Sequence, residues 1–186
     1  MDIADVSALV VSVVAALIAG VGTVLANRRS KEALRESRKA VTATLWSALQ
    51  DAIQRLVGFD PTLEPVGERL ANLRIAAIAL ADEHADWEGL DTWLDAERAL
   101  GASIALEVME TAQPTDSVDQ RVENLQLMMT WTQGFSQNVR FLRKKGYDRQ
   151  ALSKLRTHAS ELANEIHKRN GWELPPDSNP RLHPLD

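Results

Sequence analysis

The polar and apolar positions of this chain fall into two regimes. Val6 to Asn27, VSALVVSVVAALIAGVGTVLAN, runs 22 residues without a charge, and apolar residues after it recur at three- and four-residue spacing. At about 1.5 Å per helical residue the first stretch reaches ~33 Å, enough to cross a hydrocarbon core of about 30 Å. The later spacing is that of helices with one buried face. No segment alternates with period two over the length of a strand.

From Arg28 to Val57 no Pro or Gly interrupts, so the spacing predicts one long helix, with Val41, Leu45, Leu49, Ala52, Ile53 and Leu56 inward, Trp46 beside them and Gly58 as its stop. A second helix is expected from about Pro65, burying Leu70, Leu73, Ala77 and Leu80 with help from Ile75 and Ile78. A third, with Asp86 as its N-cap, places Trp87, Leu90, Leu94, Ala96, Leu100, Ile104 and Val108 inward. Gly101 inside this helix costs about 1 kcal/mol relative to Ala and points to a close helix crossing. The fourth follows Ser117 and carries Val118, Val122, Leu125, Met129, Thr132, Phe135, Val139 and Leu142 up to Gly146. The fifth, capped by Asp148, carries Leu152, Leu155, Ala159, Leu162 and Ile166 and stops at Gly171.

The expected fold class is therefore all-α. A transmembrane anchor over 1–27 leads into a basic juxtamembrane and amphipathic helix over 28–58. A helical bundle over 59–170 and a Pro-rich disordered tail over 171–186 follow. About four to five helices are expected to pack as an antiparallel bundle.

Length and flanks decide how the apolar segment is read. It exceeds the apolar region of a secretory signal, about 7–15 residues, and no basic residue precedes it. Val24-Leu25-Ala26 nonetheless satisfies a small-residue cleavage pattern. The reading is a signal-anchor in the cell membrane. Arg28, Arg29, Lys31, Arg35, Arg38 and Lys39 all follow the span, so the positive-inside bias puts the N-terminus outside and the bulk of the chain in the cytoplasm. The same six residues are the candidate contacts to lipid headgroups. Ala8, Ser12, Ala16 and Gly20 put a small residue at every fourth position, a face on which two spans can approach closely.

Charge sharpens the picture. Residues 28–40 carry six basic and two acidic groups, 41–120 carry four and fifteen, and 121–186 carry eleven and seven. The net of -5 thus hides a +4, -11, +4 segregation along the chain. Arg140, Arg143, Lys144, Lys145, Arg149, Lys154 and Arg156 form the second basic region, for which the acidic middle is the simplest partner. Nucleic acid is disfavoured as a partner, because few aromatics interleave with these charges. The absence of cysteine excludes thiolate nucleophiles and Cys-based zinc sites.

Candidate chemistry is sparse. If one helix ran through the acidic cluster at 82–97, His84, Glu88, Asp91 and Asp95 would share a face able to hold a hard cation. Asp86 and Gly89 argue for a helix boundary that breaks that face. In the last helix, His158, Glu161, Glu165 and His167 are expected mostly on the solvent side. The chain has no HExxH run, no GxSxG elbow and no phosphate loop. Trp46, Trp87, Trp93 and Trp131 fall on or beside apolar stripes and read as core or interface anchors.

The expectation is a membrane-anchored helical interaction or scaffold protein, not an enzyme and with no cofactor. Its partners would be the bilayer, an unidentified protein and a second copy joined through span or bundle. The alternative is a membrane-perturbing or pore-forming effector of phage lysis or exclusion type. A weaker one is a metal-dependent hydrolase built on the acidic cluster.

Overall fold

A computed structural model describes residues 30–173, which are helical with short connections and contain no strand. Five helices occur among them: α1 over 30–54, α2 Val66–Glu83, α3 Leu90–Thr111, α4 Val118–Lys145 and α5 Arg149–Asn170. The apolar segment, the small-residue face and Arg28-Arg29 lie outside the described residues, as does the tail from 174. Among the described residues no helix is long and apolar enough to cross a membrane.

The chain divides into two compact units, Met1–Ala43 and Thr44–Asp186. In the described part of the first unit, Lys31, Arg35, Arg38 and Lys39 are exposed, and so are Leu34 and Val41. Val41 therefore does not join the core, in contrast to its place in the predicted stripe.

The second unit is the bundle. α3 packs against α2, α4 and α5, and it runs antiparallel to α4, with Trp93 beside Phe135 and Glu97 bonded to Trp131. α1 meets α4 through Gln50 and Gln54, whose amides both donate to the Ser136 hydroxyl. α5 lies alongside α3 in the same direction: Gly89 sits near Leu152, Ser103 bonds His167, and Glu107 pairs with Arg169. α5 thus packs along α3 and shares with α4 the groove lined by Glu97, Leu100 and Ile104.

Helix ends show why these boundaries form. Ser117 closes a capping box with Gln120, its hydroxyl accepting from the Gln120 N–H while the Gln120 side chain accepts from the Ser117 N–H. Asp148 caps α5 by accepting from the Ala151 N–H. Hydrogen bonding from Lys145, foremost, and from the helix N-terminus holds the Asp148 carboxyl below its ordinary range. Ser117→Ala should destabilise the chain by about 1 kcal/mol, a Tm loss of roughly 2–4 °C. Thermal melts of the two proteins test this, and an unchanged Tm would show that the cap contributes nothing.

Asp86 is not the N-cap of α3. The chain makes extra turns through 84–89, and Gly89, at φ +92°, occupies the cap position in the left-handed region that glycine tolerates. Ile75 and Ile78 are exposed, as are Val118 and Val122, and Met128 rather than Met129 is fully buried in α4. Phe59, in the α1–α2 connection, joins the core instead, with the Arg69 guanidinium 4.3 Å from its ring centre.

Candidate functional site: a buried carboxylate beneath an open groove

The inward positions of α3 are Leu90, Leu94, Glu97, Gly101, Ile104 and Val108, at spacings of four, three, four, three and four. Two of them are not apolar side chains, and they make the site. Glu97 is only 5% exposed. An isolated buried carboxylate is costly, so it must be hydrogen-bonded. Trp93, one turn earlier on the same face, donates its indole N–H to Glu97 Oε1 at 3.0 Å. Trp131 of α4 donates to Oε2, also at 3.0 Å.

Gly101 makes the second bond geometrically feasible. A Cβ at this position would fall 2.2 Å from the far edge of the Trp131 ring. The indole therefore lies directly on the α3 backbone, one turn beyond Glu97. Phe135 completes the frame, stacked on Trp131 with ring centres 6.0 Å apart and edge-on to Trp93 at 5.7 Å.

Burial pushes the Glu97 carboxyl above its ordinary value of 4.5. The two indole bonds and the field of His158 oppose that rise without cancelling it. Among the described residues no Lys or Arg forms an ion pair with Glu97.

Above the carboxylate, α4 and α5 stand apart on α3 and leave a groove of ≈ 350 Å³. Leu100, Ile104, Trp131, Phe135, Leu162 and Ile166 give it apolar walls. Thr130, Asn138, His158, Glu165 and Arg169 supply the polar groups along it. Arg169 is already engaged, forking onto both Glu107 oxygens at 2.6 and 2.8 Å. Leu127 and Leu162 at the rim are 42% and 36% exposed.

The acidic cluster does not converge. His84 accepts the Trp46 indole N–H on Nε2 at 3.2 Å and packs against Trp87, with ring centres 4.3 Å apart. Glu88 pairs with Arg149, and Asp95 with Arg98. Among the described residues no three His or carboxylate groups come together in a metal-holding arrangement. The turn through 84–89 supplies the reason, since it breaks the single face on which these residues would align.

In α5, His158, Glu161 and Glu165 are exposed as expected, and His158 and Glu165 also line the groove. His167 faces the Ser103 hydroxyl at 2.9 Å, and Trp172 folds back to donate to Glu110 at 3.2 Å. Trp46, Trp93 and Trp131 are buried as expected of anchors, and Trp87 is half-buried. The α4–α5 basic region is tied to the acidic middle by Arg149–Glu88. The site that sequence reasoning missed is Glu97 itself. Its signal was present, a carboxylate on the inward spacing of α3 one turn after Trp93.

The fold and site define an all-α bundle with a carboxylate-floored apolar groove. The chain matches no protein-family model, no curated protein and no solved structure.

Proposed function

We propose that this chain is a membrane-tethered interaction module whose bundle receives a segment of another protein, or of a second copy, in the groove between α4 and α5. The observation that carries the interaction half is the groove. Two long helices leave an apolar-walled seam open above α3, with large apolar side chains at its rim. The tether half rests on the uncharged run from Val6 to Asn27 and the six basic residues after it, which favour an N-out span with the bundle in the cytoplasm. In this reading residues 1–27 hold the chain to the bilayer, and the bundle catalyses no reaction.

Each half has its own test. Full-length chain mixed with zwitterionic vesicles should float with them and resist alkaline extraction; release into the soluble fraction would remove the anchor. For the groove, a photo-crosslinking amino acid at Leu162 should give a discrete adduct in cells. The same residue at Ser153, on the opposite face of α5, should not. Identical crosslinking from both positions would end the groove reading. The adduct mass distinguishes a second copy from another protein.

A further inference from the structure

We propose that the groove takes a Lys or Arg side chain, presented between apolar residues on a helix of the partner protein, with its cation set against Glu97. The inference rests on the groove being the binding surface and adds the chemistry of what fills it.

Size limits the occupant first. At ≈ 350 Å³ the groove is too small to engulf a helix of 10–12 Å diameter, so it takes side chains from a helix laid across its mouth. Its length fits that mode. On α4 it runs from Leu127 to Asn138 and on α5 from His158 to Arg169, about 16 Å along each helix at 1.5 Å per residue. That is three turns, matching anchors at i, i+3 or i+4, and i+7 of an amphipathic helix.

Charge selects the central anchor. Glu97 lies on the groove floor, and its two oxygens each accept one indole N–H, which leaves further lone pairs but no neutralising charge. Glu165 adds a second carboxylate at the rim. The groove's one guanidinium, Arg169, is committed to Glu107 on both oxygens. His158 acts on Glu97 only through its field. A cation arriving on an apolar stem finds aromatic and aliphatic walls for the stem and an unneutralised carboxylate for the head. A partner carboxylate would meet like charge instead, and a wholly apolar side chain would leave Glu97 shut away from water without compensation.

The test uses the full chain in nanodiscs of zwitterionic lipid and a pair of designed helical peptides. Both are Ala- and Gln-based, with two Leu residues seven apart. One carries Lys midway between the Leu residues and the other carries norleucine there. Empty nanodiscs give the partition background. The Lys peptide should bind at least about tenfold more tightly. Glu97→Gln should erase that preference, and Leu162→Arg, an exposed substitution that crowds the rim, should abolish binding of both peptides.

Equal affinity of the two peptides for the unaltered chain overturns the cation inference and leaves the groove reading standing. Binding of neither peptide, or binding indifferent to Leu162→Arg, overturns both. Because the Lys-to-norleucine comparison is made on the unaltered chain, a misfolded Glu97 variant does not blunt the test.

Discussion

Gly101→Ala lowers stability, although helix propensity alone argues for the opposite sign. In an open helix interior, Ala is favoured over Gly by about 1 kcal/mol. Here the new Cβ would lie 2.2, 2.5 and 2.9 Å from three carbons of the Trp131 ring. The ring cannot swing aside freely, because its N–H is held by Glu97 and its face lies on Phe135. Relief requires α3 and α4 to separate or the indole to tilt off the carboxylate. Overpacking costs about 1–3 kcal/mol, and a lost hydrogen bond to a charged group about 1.5–3 kcal/mol. With both costs incurred and the propensity gain subtracted, the net loss should be roughly 1.5–5 kcal/mol. Urea denaturation of the two proteins measures it, and a variant as stable as the original would mean that the indole has room that the structure does not show.

The same residue shows how far the sequence could be read. A lone glycine in an apolar-periodic run pointed to a close crossing, and the crossing is there. What spacing could not supply was the identity of the intruding side chain, since Trp131 is thirty positions away and any large residue of the fourth helix fitted. Boundaries written in local chemistry were legible: Pro65, Ser117, Gly146, Asp148 and Gly171 all sit at helix ends. Asp86 looked equally local, yet the cap position went to Gly89, because the chain spends six residues reversing direction before α3 begins.

Errors in the core have a common cause. In α2 the stretch Ile75 to Ala81 is apolar without a break, so the sequence could not decide which of its faces is covered there, and Ile75 and Ile78 fall on the open one. Val118 and Val122 continue a correct spacing at the start of α4, where the face is exposed. Period reveals a helix and its stripe, but where a neighbouring helix stops is tertiary information. The groove was illegible for that reason, since it exists only because α4 and α5 stand apart above α3. Glu97 was readable and overlooked, because a reading of α3 that passes from Leu94 to Ala96 and Leu100 skips the polar residue on the inward spacing.

That carboxylate should make stability fall as pH rises, a sign opposite to that of a salt-bridged acid. Burial raises the Glu97 pKa in the folded chain above its ordinary value of 4.5, so the folded state holds the proton more tightly than the unfolded state. Below 4.5 both states are protonated and the contribution is fully present. As pH climbs from there through the folded-state pKa, the unfolded chain releases its proton first, and stability declines across that window. Above it, the residue remains as an ionised buried group, held in place by the two indole N–H donors.

Glu97→Gln removes the titration but cannot reproduce the geometry. Its carbonyl serves one indole, and its amide N–H₂ faces the other, leaving one buried donor against another. The variant should therefore be less stable than the unaltered chain by about 1–3 kcal/mol near pH 4.5, with the gap narrowing toward pH 8. Glu97→Leu, which orphans both indoles, should lose more, about 2–5 kcal/mol, at low pH. Equilibrium unfolding of the three proteins at the two pH values isolates this residue, because the other carboxylates cancel in the difference. A gap between the Glu97→Gln variant and the original that stays constant or widens with pH would show that the folded chain does not raise the Glu97 pKa. The raised pKa would then have to be abandoned, whereas the carboxylate on the groove floor would keep its charge.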